Sequence, residues 1–548
     1  MFRFLAAARR AALLLSLALT GAPGMAAPLP PRVTVAGGVL EGFPIARPQG
    51  MVRAFLGIPY AAPPIGAWRW RPPRPAAVWQ GVRQATTFGP RCMQRPLFAD
   101  MRFRSPGMAE DCLYLNVWAP AAGTAYPVLV YLHGGGFLAG DGSEPRYDGA
   151  ALAARGLVVV TLNYRLDVFG FLALPALAEE SPQQAAGNYG LLDQATALAW
   201  VKANIAAFGG DPARITVGGE SAGAMSVSAI MASPLTRDLI AGALGESGAL
   251  IAPLAPLPRA EAMQRGARWA ARAGASSLTA LRDLPAAALL EASAAIEPTP
   301  ARPDVDGLFL SEPPEATFAR GDQAKVPLLL GSNTQEGDYP ALLHGATPTP
   351  AHYRAALRRL FGTQAAQALT LYPGADEAQV RRSARELAGD LFVAHSTWRW
   401  MDAHRASGAP VYFYLYAHPR PRPRVPAAVD AEAPGAVHSA EIEYALDNLA
   451  GNPVYAWDAA DRALAGLFSA YVRAFVAQGD PNDAGLPPWP AVGIHQDPVP
   501  RQWRGGVVSA GLVLGCLCAG LPGLRSPPHG SIARAWDSRG RRRAVTSR

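Results

Sequence analysis

The segment Gly219-Glu220-Ser221-Ala222-Gly223 sets one serine between two glycines. It follows a short β-rich stretch at 215–217 and precedes an apolar, helix-forming stretch that runs to about Ala232. A strand that turns sharply into a helix needs small neighbours, because the serine backbone is strained there, and the turn lifts the hydroxyl above the sheet. The positive end of the following helix dipole faces the same place. The chemistry this suits is attack of Ser221 on a carbonyl carbon with a covalent acyl intermediate. Gly245-Glu246-Ser247-Gly248 looks alike but lacks the glycine two places after its serine. Ser247 is therefore expected to be a buried, hydrogen-bonded neighbour of the site.

A serine that cleaves an ester also needs donors for the developing oxyanion. His133-Gly134-Gly135-Gly136-Phe137 follows an apolar run, and glycines let backbone N–H groups reach a reacting carbonyl unobstructed. Gly135, Gly136 and the N–H of Ala222 are the expected donors, each worth about 3 kcal/mol of barrier. His133 is expected to shape the loop. The order nucleophile, acid, base points downstream for the remaining groups. His438, in Gly435-Ala436-Val437-His438, and Glu336, in the loop after an apolar run at 326–330, are candidates for base and acid. On spacing alone His344, His404 and His418 compete with His438.

These residues need a scaffold. Tyr126–Leu132 (YPVLVYL) and 157–162 (LVVVTL) are continuous apolar runs, as strands buried on both faces require. Residues 191–208 have helical spacing, 326–330 and Val411–Tyr416 read as further strands, and the Ala-rich stretches 259–295 and 349–406 read as helices. Strands alternating with helices predict an α/β fold with a mostly parallel sheet covered on both sides. The Ala-rich stretches are expected to be insertions over that sheet, so that 28–492 forms one domain.

The 548 residues are 50% hydrophobic and 17% charged, which suits a packed globular chain. The net charge of +8 sits almost wholly in the tail. From His495 onward there are nine arginines (Arg501, Arg504, Arg525, Arg534, Arg539, Arg541, Arg542, Arg543 and Arg548) against Asp497 and Asp537. The body is thus close to neutral and carries no basic stripe of the kind nucleic-acid binding needs. Arg3, Arg9 and Arg10, a short apolar run at 11–19 and small residues at 21–27 predict a cleaved export leader over 1–27. The apolar stretches at 11–19 and 507–521 are both too short to span a bilayer, so no stable membrane anchor is expected. The segment 493–548 changes character and is expected to be a poorly ordered basic tail. An exported chain can hold disulfides. Cys92 and Cys112 close a short loop and are the expected pair, whereas Cys516 and Cys518 lie too near each other to bond without strain. No His or Cys spacing suits a metal.

The chain resembles the type-B carboxylesterase family, which includes bacterial esterases and the cholinesterases. The resemblance rests on Phe55-Leu56-Gly57-Ile58-Pro59-Tyr60-Ala61, Glu110-Asp111-Cys112-Leu113-Tyr114-Leu115-Asn116-Val117, Asn163-Tyr164-Arg165, Gly187-Asn188-Tyr189-Gly190-Leu191-Leu192-Asp193-Gln194, Phe208-Gly209-Gly210-Asp211-Pro212 and Gly479-Asp480-Pro481-Asn482, all in the family's order. It runs from about Val33 to Pro490. It implies an α/β-hydrolase fold and hydrolysis of small-molecule carboxylic esters without metal or organic cofactor. It further implies Ser221 as nucleophile, His438 as base, Glu336 as the acid that orients it, Gly135, Gly136 and Ala222 as oxyanion donors, and a Cys92–Cys112 disulfide. Choline-selective members carry a tryptophan between the matching cysteines. Here 93–111 holds Phe98 and Phe103 but no tryptophan, so the cation–π anchor for a quaternary ammonium is missing and choline esters are not expected as preferred substrates. A non-catalytic binding module on the same fold is the alternative reading, since fold does not fix function. Adhesion relatives lose the nucleophile, which is present here. A poorly folded product of a disrupted gene is a third.

Overall fold

The computed structural model describes residues 30–295, 302–424 and 435–493, together with the backbone of 512–514. The predicted leader at 1–27 and nearly all of the tail from 493, with Cys516 and Cys518, lie outside the described residues.

Among these residues a ten-stranded sheet forms the centre. Its strands in chain order are β1 (Phe43–Arg47), β2 (Gly50–Pro59), β3 (Tyr114–Pro120), β4 (Tyr126–Leu132), β5 (Val158–Leu162), β6 (Gly210–Glu220), β7 (Gly242–Glu246), β8 (Leu328–Asn333), β9 (Val411–Tyr416) and β10 (Leu512–Leu514). Across the sheet they run β10-β9-β8-β7-β6-β4-β5-β3-β2-β1. From β10 to β5 every pairing is parallel, and β3, β2 and β1 close the other edge antiparallel. This is the α/β-hydrolase arrangement, with a mostly parallel sheet between helices.

The central strands β4, β5, β7 and β8 are buried on both faces, which explains the unbroken apolar runs of β4 and β5. Val128, Val130 and Leu132 of β4 pack into the larger core on one face. Leu129 and Tyr131 point into the second core, against Tyr414, Phe468 and Phe475. Two helices flank β6: α1 (Tyr189–Asn204) before it and α2 (Ala222–Ala232) directly after it. Every residue of α2 is buried, as a helix apolar on all sides must be. Its serines cost little there, because Ser226 Oγ donates to the Ala222 carbonyl and Ser228 Oγ to the Met225 carbonyl.

β6 is longer than the three residues its apolar pattern suggests. Its pairing with β4 is irregular between Gly210 and Ile215, around Asp211-Pro212, and regular from there to the turn at Ser221. Proline lacks the N–H that a ladder needs, which accounts for the break. The glycines Gly218 and Gly219 hide the second half of the strand from a β-propensity reading.

The later Ala-rich stretches are helical, including α3 (Arg259–Arg272), α4 (Glu377–Gly389) and α5 (His395–Arg405). One feature among them departs from simple helix: Asp390–Ala394 forms a π-helical turn joining α4 to α5. The final described helix, α6 (Ala459–Gln478), opens with a capping box between Asp458 and Asp461 and ends at Gly479 in the left-handed region. Its buried face, including Leu464, Phe468, Val472 and Phe475, covers the second core.

Candidate active site

Ser221 occupies the turn between β6 and α2 with φ 56° and ψ −118°. A non-glycine residue held there costs on the order of 1–3 kcal/mol and persists only where its surroundings fix it. They do so here: Ser221 N–H donates to the Glu246 carbonyl at 2.8 Å, and the Ser221 carbonyl accepts from Met225 N–H at 2.9 Å. Gly223 is what lets α2 start so close to β4. A Cβ at Gly223 would stand 2.1 Å from the Leu132 carbonyl oxygen.

The glycine-rich loop leaves β4 and lies against this turn. A Cβ on Gly134 would approach the Glu220 carbonyl oxygen to 2.7 Å and Ser221 Cβ to 3.1 Å. Among the described residues the N–H groups of Gly135 and Gly136 donate to no backbone carbonyl. Ala222 is the first residue of α2, where an N–H has no partner within the helix. His133 is buried, stacks on Tyr164 with ring centroids 4.3 Å apart, and sets Nδ1 2.9 Å from the Gly134 carbonyl. Burial pulls its pKa down to about 4, so it stays neutral and shapes the loop.

Cys92 and Cys112 are joined by a disulfide. The loop they close is pinned to the glycine-rich loop by Gln94, which accepts from Gly140 N–H at 2.9 Å and donates to the Gly140 carbonyl at 2.8 Å. That brings Met101 Cε to within 2.9 Å of where a Gly135 Cβ would stand.

Glu336 and His438, 102 residues apart in sequence, meet above the sheet. Their loops pair through a backbone bridge between Gln335 and Val437. His438 Nδ1 lies 2.7 Å from Glu336 Oε2. The other oxygen of Glu336 accepts from Asn333 N–H and Ser247 Oγ, each at 2.6 Å. Ser247 is thus the buried, hydrogen-bonded neighbour its motif suggested. The competing histidines are elsewhere: His404 Nε2 is 2.8 Å from the Val326 carbonyl, His418 Nε2 is 2.8 Å from Asp461 Oδ1, and His344 is exposed at the end of a short helix.

Two groups at the site went unread in the sequence. Glu220 places Oε1 3.1 Å from His438 Nε2. Its position in the glycine–serine motif was a usable signal, since a carboxylate next to the turn serine must ride with it. Glu441 sets Oε1 3.2 Å from Ser247 Oγ, and its Oε2 accepts from Asn333 Nδ2 at 2.5 Å. No local pattern marks it. Glu246, on the neighbouring strand, accepts from Tyr131 OH at 3.1 Å.

The electrostatics follow from crowding buried carboxylates around one imidazole. Burial favours neutral His438, but the charges of Glu220, Glu336 and Glu441 outweigh it and hold its pKa up at about 9. Burial drives Glu220 up to about 8, against the pull of His438. It likewise raises Glu441 to about 7, with repulsion from Glu336 adding to the effect. Glu246 is raised by burial and by its acidic neighbours. No cluster of three or more His, Cys, Asp or Glu suited to a metal occurs among the described residues. Nor is any helix among them long and apolar enough to cross a membrane.

Known proteins resemble this chain over most of its length. The Carboxylesterase family's sequence model matches residues 29–501, a little past the Pro490 at which the sequence resemblance fades. Fumonisin B1 esterase of Sphingopyxis macrogoltabida is 37% identical over 477 residues, covering 83% of each chain. Para-nitrobenzyl esterase of Bacillus subtilis (strain 168) is 38% identical over 377 residues, 66% of this chain and 74% of the relative. Cocaine esterase of Oryctolagus cuniculus is 35% identical over 476 residues, 81% and 86% of the two chains. With a serine at a strained strand–helix turn, glycine N–H groups against it and this degree of likeness, the chain belongs to the carboxylesterase family and is a carboxylic-ester hydrolase.

Proposed function

We propose that ester cleavage runs through an acyl-enzyme on Ser221, with His438 as general base and Glu336 as its orienting acid. The observation that carries this reading is the 2.7 Å contact from Glu336 to His438 Nδ1. It fixes a proton on Nδ1, so that in the neutral imidazole, the form that gains population toward pH 9, Nε2 is the nitrogen that accepts one. In the free protein Nε2 faces Glu220, the residue beside Ser221. On substrate binding, Nε2 turns to the Ser221 hydroxyl and takes its proton as Oγ attacks the ester carbon. The oxyanion accepts hydrogen bonds from the N–H groups of Gly135, Gly136 and Ala222. His438 then gives the proton to the departing alkoxide. Water, activated by His438, releases the acid and restores Ser221.

The substrates are small to medium, largely uncharged esters. Met101 near Gly135 and Phe392 against His438 give the site apolar sides, which suits uncharged esters. The charged leader at 1–27 and the Cys92–Cys112 bridge support export to an oxidising compartment. The test is hydrolysis of a short-chain p-nitrophenyl ester by purified protein beginning at Pro28, beside Ser221→Ala. Loss of activity in a folded Ser221→Ala protein supports the reading; retained activity rejects it.

A further inference from the structure

Phe392 is a large apolar side chain left 41% exposed, yet its ring stands 4.9 Å from that of His438 at 65°, an edge-on contact. Its place is set by the π-helical turn Asp390–Ala394. A single π turn inserts one residue into a helix and re-aims the side chains after it, and such turns recur at functional sites. This one is held from neighbouring elements. Tyr372 OH donates to Asp390 Oδ2 at 2.6 Å. The end of α4 also lies against the loop that carries Glu336, since a Cβ on Gly337 would come within 2.6 Å of the backbone of Ala388 and Gly389. The turn is therefore seated on the loop of the orienting acid while it points an aromatic ring at the base.

We infer that Phe392 is a specificity-determining residue, forming an apolar wall for the alcohol part of the ester. The proposal rests on His438 as the proton carrier. The group that gives a proton to the leaving oxygen must stand beside the departing alcohol, so an exposed ring packed on that imidazole meets the alcohol side of the substrate. Leu391, 36% exposed on the same turn, extends the apolar surface. Esters of apolar alcohols, such as benzyl or hexyl, bury their substituent against this wall. A methyl ester does not reach it.

The experiment compares methyl, hexyl and benzyl butyrate, followed by acid release, in the parent, Phe392→Ala, Phe392→Leu and Ser221→Ala proteins. Phe392→Ala is expected to lower kcat/KM for benzyl and hexyl butyrate about tenfold relative to methyl butyrate, a difference of about 1.4 kcal/mol. Phe392→Leu restores most of the preference for the hexyl ester and not for the benzyl ester, and it stands in for the alanine variant if that fails to fold. A parallel series of methyl esters of acetate, butyrate and hexanoate should keep its order in every folded variant. An unchanged alcohol preference in the folded variants, with Ser221-dependent activity in the parent, overturns the proposal alone. Activity that survives in Ser221→Ala overturns the catalytic reading on which it rests, and the proposal with it.

Discussion

Replacing Glu220 with glutamine removes a carboxylate 3.1 Å from His438 Nε2 while keeping its shape. With an effective dielectric of ~20, a full charge at that distance would favour the imidazolium by about 5 kcal/mol. The effective amount is smaller, because burial raises Glu220 to about 8 and leaves it largely protonated at neutral pH. The carboxylates of Glu336 and Glu441 also remain to hold His438 up. A net effect of about 1.5–3 kcal/mol follows, or on the order of one to two pH units, since one unit is 1.36 kcal/mol. The sign is set by the chemistry. In the proposed mechanism catalysis needs neutral His438, so a base held at about 9 should make kcat/KM rise through pH 7 to 9 in the parent. Taking away the nearby anion favours the neutral form, and the rise moves to lower pH. The assay is kcat/KM for an uncharged ester from pH 5 to 9.5 in the parent and Glu220→Gln. An acid limb that stays in place, or moves upward, would refute the view that Glu220 charge sets the state of the base.

Three further variants test separate parts of the account. Glu336→Gln removes the charge proposed to orient His438 and should lower kcat by about 10³–10⁴-fold, with the far-ultraviolet circular dichroism unchanged. Asp193→Asn strips the buried partner from Arg165, now held at 2.7 and 2.8 Å, and an uncompensated buried charge should cost about 3–5 kcal/mol in denaturant unfolding. The double change Cys92→Ser and Cys112→Ser opens a loop of sequence separation 20 and should cost about 3 kcal/mol of stability. It also frees the Met101 segment beside Gly135, so kcat/KM should fall as well.

What the sequence made legible was whatever local chemistry dictates. The run Tyr126–Leu132 could only be a strand buried twice over, and the glycines around Ser221 and after His133 advertised a tight turn and an open loop. Glu336 was readable as a loop residue after a strand, and His438 as a histidine well after Ser221 and ahead of a helix-like segment, but spacing alone left His344, His404 and His418 in contention, because the meeting of Glu336 and His438 is made by a bridge between Gln335 and Val437. Glu441, three residues past His438, and Asn333, the last residue of β8, are brought together by packing, and no periodicity marks such convergence. Phe392 was hidden for a different reason. Gly389-Asp390-Leu391-Phe392-Val393 reads as ordinary helix, and the change of register sits where the end of α4 lies against Gly337, a contact that no local pattern marks. The edge strand β1 was equally faint, since a short, partly exposed strand lacks an apolar run.

The central claim is that one serine carries the acyl group. The direct measurement is labelling of active protein with a fluorophosphonate ester, followed by peptide mass analysis and titration of residual activity. The account predicts one adduct per chain, on Ser221, with activity falling in proportion and no labelling of Ser221→Ala. Full inhibition with the adduct on another residue, or esterase activity that persists once Ser221 is fully modified, would contradict it.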